Sequence, residues 1–275
     1  MSLLKPMPGT EAISMNRKTK SVSKGLRIVV VTGIALVLLG AYGAVGGARA
    51  AHSSCGTYCW NVYAPYTGSS LSWSSFGSAG YQWNDGPYAT ASNGQFIDNQ
   101  QSSASNSYGG LYTYLLLQGD TIHFYTEVGV TYTFSVLVEG WYTISGWCDP
   151  PFGSYGGIAT LTVVAGLVGT SISTSSEPIN ADQSGDCDIL APHGQAASPS
   201  DSPHTMNSGG WGGYPTLTFS VWIAAGYYTP YVEVIGYTYA DAQLLAGVTS
   251  DLNFGSGGYY VQWTGLNINW GPGEG

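Results

Sequence analysis

Thr131 to Ser145 reads T-Y-T-F-S-V-L-V-E-G-W-Y-T-I-S. In an extended chain successive side chains point to opposite sides, so Tyr132, Phe134, Val136 and Val138 share one face. Thr133, Ser135 and Glu139 share the other. Threonine, valine and aromatic residues suit a pleated, half-buried surface, and the segment reads as a strand. The period recurs over Thr121 to Val128, Thr160 to Leu167, Thr216 to Ile223, Tyr228 to Tyr239 and Tyr259 to Trp270. Gly-Gly, Asn-Gly and Asp-Gly pairs punctuate these runs. The pattern predicts an all-β fold, an antiparallel β-sandwich of jelly-roll or Ig-like type. Gly140 is expected at a turn or bend, and Ala240 to Val248 carries a weak helical period.

Two stretches lack the alternation. Gly68 to Gly110 is rich in Ser, Gly, Asn and Tyr and suggests two or three irregular strands. Residues 171–213 are polar and Pro-rich and read as a long loop. An internal echo links Thr131 to Val138 with Thr216 to Ile223, each followed closely by glycine, two aromatics and threonine. Residues 51–275 are read as a single sandwich domain, the echo marking two equivalent hairpins within it.

Residues 1–50 differ in kind. Arg17, Lys18, Lys20, Lys24 and Arg27 precede the apolar run Ile28 to Leu39, and Ala48-Arg49-Ala50 supplies small residues at a cleavage site. Together these describe an export signal cleaved after Ala50. Left uncleaved, residues 28–47 would instead anchor the chain in a membrane with the remainder outside. Both routes place the chain from about Ala51 outside the cytoplasm, extracellular or at the cell surface. Cys55, Cys59, Cys148 and Cys187 all follow that point. They predict a local Cys55–Cys59 clip and a Cys148–Cys187 bridge in an oxidising compartment.

Charge is divided at the same boundary. All seven Lys and Arg residues precede Ala51, whereas only Glu11 of the sixteen acidic residues does. The exported part therefore holds fifteen carboxyls and no permanent cation. Nucleic-acid binding is excluded, because nothing remains to neutralise phosphates. A catalytic lysine and arginine-clamped phosphoryl transfer are excluded likewise. At low pH the carboxyls become neutral, so the charge repulsion that unfolds most proteins in acid is largely removed. The composition points to an acidic extracellular setting.

Chemistry could reside in a few places. Glu127, Glu139 and Glu233 are the candidate catalytic acids, since a strand-borne carboxyl pair can hydrolyse glycosides and a glutamine–glutamate pair can cleave peptides in acid. No family motif surrounds them. Asp182, Asp186 and Asp188 bring three carboxylates within seven residues, a possible calcium site without EF-hand spacing. No other cofactor is expected. A cut after Ala51 would expose His52 as the amino terminus. With a second histidine, that would resemble the copper chelate of the lytic polysaccharide monooxygenases, although Arg49 at position −3 disfavours the cut. The most consistent signal is aromatic. Tyr231, Glu233, Tyr237 and Tyr239 share one face of their strand while Val232, Val234, Gly236 and Ala240 share the other. Trp222 stands opposite Leu217, Phe219, Val221 and Ile223. Rows of exposed rings fit sugars or flat protein surfaces. The sequence thus reads as a secreted or surface protein, non-enzymatic, binding glycans or other extracellular proteins, neighbouring subunits of its own kind included. An acid-active hydrolase is the first alternative and a copper oxidoreductase the second.

Overall fold

The structure is a computed structural model describing residues 51–186 and 204–271, which lie within one unit, Ala44–Gly275. The expected signal or anchor lies outside the described residues. Thirteen strands follow in order: β1 (Ala51–Gly56), β2 (Cys59–Tyr63), β3 (Gly68–Gly77), β4 (Gly80–Thr90), β5 (Gln95–Gln118), β6 (Ile122–Phe124) and β7 (Val128–Leu167). Then come β8 (Ser173–Asp186), β9 (His204–Gly213), β10 (Leu217–Ile223), β11 (Gly226–Tyr228), β12 (Pro230–Asn253) and β13 (Tyr260–Trp270). The described residues contain no helix, hence none long and apolar enough to cross a membrane. The all-β expectation holds.

Eleven strands form one antiparallel sheet, and β6 with β11 forms a small second one. β12 runs between β5 and β7, pairing with both along nearly its whole length. It ends at Asn253, beside Asn99 and Trp141. β13 takes up the same lane, with Tyr260 beside Glu139 and Val261 beside both Val138 and Phe96. The pairings of β5, β12, β7 and β13 therefore close into a four-strand core. The other strands lie outside it: β3 and β4 on β5, β8 to β10 on β7, and β2 then β1 on β13.

The three longest strands share one further feature: each is interrupted at the same level. β5 passes through Asn106 at φ 51° and β12 through Leu244 at φ 58°, both left-handed. β7 skips from Cys148, paired with Ala246, to Gly153, paired with Leu244. Beyond these points the sheet returns over itself. The Ser102 hydroxyl lies 2.8 Å from that of Thr238, and Ser250 Oγ donates to the Tyr239 carbonyl at 2.7 Å. Two leaves thus face each other. The upper contains residues 109–118, 153–167 and 230–242, and the lower residues 95–105, 141–148 and 246–253. Leu115, Leu117, Leu161, Val163, Val232 and Val234 from the upper leaf are buried at this junction, as are Phe96, Ile144, Val248 and Leu252 from the lower. Packing of these inward faces supplies the apolar burial that holds a sheet whose described residues include no Lys or Arg.

Several local expectations change. β7 runs unbroken through Gly140, where a Cβ would come within 2.9 Å of Ile179 Cδ1; the glycine makes room for packing and does not turn the chain. Ala240 to Val248 is part of β12, its small residues Ala240, Ala242 and Ala246 filling the interior. Thr121 to Val128 gives only the short β6 before β7 begins. The polar stretch 171–213, expected as a loop, supplies β8 and β9. An edge strand needs partners for its backbone, and β7 provides them without an apolar sequence. The echoing segments lie side by side, Phe219 of β10 pairing with Tyr132 of β7. Cys55 and Cys59 form the expected disulfide, with Cα atoms 5.1 Å apart, compatible with an extracellular protein. Cys148 is also disulfide-bonded, whereas Cys187 lies outside the described residues.

Candidate functional site

The outward face of the upper leaf carries the aromatic row. Alternation along β12 sends Val232, Val234, Gly236 and Ala240 inward, where all are buried, and turns Tyr231, Glu233, Ile235, Tyr237 and Tyr239 outward. Register adds rings from neighbouring strands. Tyr112 of β5 pairs directly with Tyr237, their rings stacked at 4.2 Å and 16°. Tyr114 continues the stack at 6.0 Å from Tyr112. Phe76 of β3 reaches across Gly110 to lie 6.1 Å from Tyr239 at 17°. Any Cβ at Gly110 would fall 2.9 Å from the Phe76 ring, so this glycine allows the ring to lie flat there. The five rings belong to three adjacent strands. Phe76 is 44% exposed and presents an accessible ring.

At the end of this row is a depression of about 450 Å³, lined by Gly156, Gly157, Ile158, Asp182, Gln183, Ser184 and Tyr239. β8 forms its far wall because Asp182 pairs with Ile158, which pairs in turn with Tyr239. One aromatic ring, a carboxylate, a carboxamide and a hydroxyl therefore meet at one concave place. Burial, with Asp241 beside it, pushes the Tyr239 phenol up to about 12, and it donates to Asp241 Oδ2 at 3.3 Å. At any neutral or acidic pH the phenol is a neutral donor.

Glu233 sits in the same face but beneath it. Leu116 and Val164 flank it across the sheet, it is 4% exposed, and burial pushes its carboxyl up to about 7. Glu139 lies on β7 between Tyr260 of β13 and Gly212 of β9, outside the upper leaf that carries Glu233. Glu127 is exposed just before β7 begins. The three expected acids thus stand apart, Glu233 on β12, Glu139 on β7 and Glu127 in the connection before β7. Trp222 on β10 is 62% exposed but pairs with Gly129, near the opposite end of β7 from Thr160 and Ile158, which border the tyrosines. It does not join the row. Asp182 lies on β8 and Asp186 ends that strand, while Asp188 falls outside the described residues. Among the described residues no three His, Cys, Asp or Glu side chains converge as metal ligands.

Two groupings escaped the sequence reading. Trp73, Tyr81 and Trp83 on β3 and β4 form a cluster with centroids 5.2–6.1 Å apart, Trp83 meeting the other two rings edge to face. Behind it, between the leaves, Asp98, Gln100, Ser102, Thr113, Thr238 and Ser250 are buried together. Burial pushes Asp98 up to about 7 even though the Thr113 hydroxyl and the Asn99 backbone donate to it. Tyr112-x-Tyr114 beside alternating Leu111, Leu115 and Leu117 is a strand signal that could have found the row's β5 members.

No protein-family model matches the chain, and no curated protein matches it.

Proposed function

We propose that this is a secreted or cell-surface protein, non-enzymatic, whose folded sheet serves as a β-sandwich scaffold for glycan binding in an acidic extracellular setting. The observation that carries the reading is the position of Tyr239, shared between the stacked row and the depression lined by Asp182, Gln183 and Ser184. The apolar face of a pyranose stacks on a phenol ring, and its hydroxyls require nearby acceptors and donors. All three kinds of group are present there. The acidic setting draws support from Asp98 and Glu233, both held toward their neutral forms by burial. The hydrolase reading would need two carboxyls converging in one groove, and Glu127, Glu139 and Glu233 stand apart.

The test is titration of the exported chain with neutral oligosaccharides at pH 4, by calorimetry or NMR. Tyr239→Ala is expected to weaken binding at least about tenfold, the usual scale for removing a stacking ring at a site centre. A wild-type chain that binds no member of a broad glycan panel overturns the reading. If that chain instead self-associates in solution, the same face serves neighbouring subunits.

A further inference from the structure

The polar cluster between the leaves has a composition that the glycan-binding reading leaves unexplained. Around the single point where a Gly236 Cβ would stand, Thr113 Oγ1 lies at 2.7 Å, Asp98 Oδ2 at 3.1 Å and Gln100 Nε2 at 3.2 Å. Glycine at 236 leaves this space to the three side chains. Thr113 donates a short hydrogen bond to Asp98 Oδ2, while Asp98 Oδ1 and both polar atoms of Gln100 have no hydrogen-bond partner. A buried carboxamide with neither end satisfied is costly. A hydroxyl polarised by a carboxyl and a carboxamide, the groups that acyl transfer uses, converge on this one buried point.

We infer that Thr113 and Gln100 form an intramolecular ester cross-link, with Asp98 as the proton-transfer group. Thr113 Oγ1 adds to Gln100 Cδ as its proton passes to Asp98 Oδ2. The Asp98 carboxyl gives up a proton to Nε2, the C–N bond breaks and ammonia leaves. The hydroxyl and carboxamide become ester and ammonia, Asp98 ends in its starting charge state, and nothing is oxidised or reduced. The orphaned amide donor departs with the ammonia, and an ester oxygen requires no donor in its place. Burial favours the neutral acid form of Asp98 that this bifunctional transfer uses. Trp73 pairs with Thr113 and Trp83 with Gln100, so the aromatic cluster covers this site and shields an ester from water.

Peptide mapping of the mature chain tests the proposal. Denaturation and cleavage after Phe96, Tyr108 and Tyr112 separates Gln100 from Thr113 along the backbone. The fragments holding them are expected to stay joined, with a combined mass lower by about 17 Da, one ammonia. Separate fragments of unaltered mass overturn the proposal, as does an ammonia loss confined to the fragment holding Asn93-Gly94. Thr113→Val and Gln100→Glu should abolish the link and Thr113→Ser should keep it; a link that persists in Thr113→Val overturns the assignment. Asp98→Asn is expected to slow formation at least tenfold, and an unchanged rate removes Asp98 from the reaction. The wild-type map decides the central claim even where a variant does not fold.

Discussion

Asp98 and Glu233 are carboxyls of nearly equal burial held by the same sheet in opposite ways. Asp98 points between the leaves into a polar cluster, where Thr113 and the Asn99 backbone donate to it. Glu233 points outward, yet Leu116, Val164 and the rest of the aromatic face enclose it. Both end near a pKa of 7, because the hydrogen bonds at Asp98 offset only part of a larger desolvation. The described residues include no Lys or Arg to bring either carboxyl back down. Burial therefore makes both groups acids that the fold prefers protonated. The inner one joins the buried polar cluster and the outer one underlies the aromatic face.

The largest test of this pairing is pH. The unfolded chain loses these two protons near pH 4, and the folded chain holds them to about pH 7. Between those values the folded state binds more protons, so stability falls as pH rises. It is greatest below pH 4 and decreases through the window by on the order of 3–4 kcal/mol per group. Urea unfolding midpoints are expected to be higher at pH 4 than at pH 7. A midpoint that instead falls steeply on acidification contradicts both the comparison and the acidic setting. Glu233→Gln separates the two members. It should raise stability at pH 7, change little at pH 4 and remove roughly half of the pH dependence, leaving the Asp98 share.

Next in size is Gly236→Ala, which acts on the inner member alone. The new methyl would lie 2.7 Å from Thr113 Oγ1, and overpacking a closed interior costs about 1–3 kcal/mol. Glycan affinity of the folded fraction should be unchanged, because Gly236 faces away from Tyr239. Equal stability of variant and parent in denaturant titration would mean the cluster is looser than its geometry.

The two members also differ in how far the sequence announced them. Along β12 the alternation correctly assigned Val232 and Val234 to the interior and the tyrosines to the outside, and Cys55–Cys59 was legible from spacing. Along β5 the rule inverts: Ile97 is only part-buried while Asp98, Gln100 and Ser102 are fully buried. Hydrophobic period cannot foresee this, because the partners that make it tolerable, Thr113, Thr238 and Gly236, lie in another leaf. The fold-over itself depends on Asn106, Leu244 and the break in β7, none of which carries a turn signature strong enough to align three strands. β8 and β9 escaped notice because polar edge strands gain from backbone pairing and leave no apolar trace. The depression inherits that blind spot, since Asp182 was read as a loop ligand and stands instead on β8 beside Ile158.

Gly110→Ala probes the outer member. Its Cβ would lie 2.9 Å from both the Phe76 ring and the Thr238 backbone carbonyl, so the ring leaves Tyr239 and the β5–β12 backbones shift beside it. The lost ring pair, about 0.5–1.5 kcal/mol, and the backbone clash are expected to lower the unfolding midpoint, and the folded fraction is expected to bind several-fold more weakly because the ring row is broken beside Tyr239. If affinity stays the same, Tyr239 alone holds the ligand and the row is scaffold.

Trp222→Ala should do least, and that is its value. Trp222 is among the most exposed large side chains, and exposure alone would nominate it for binding as readily as Tyr239. Position argues otherwise: it pairs with Gly129, far along β7 from Ile158, with no share in the depression. Removing an isolated surface ring changes stability within about 0.5 kcal/mol, and glycan affinity at pH 4 should equal that of the parent. A tenfold loss on Trp222→Ala, matching Tyr239→Ala, would mean that the ligand spans both leaves or binds at β10. The relevant contrast would then be between the two ends of β7 and not between the inner and outer carboxyls.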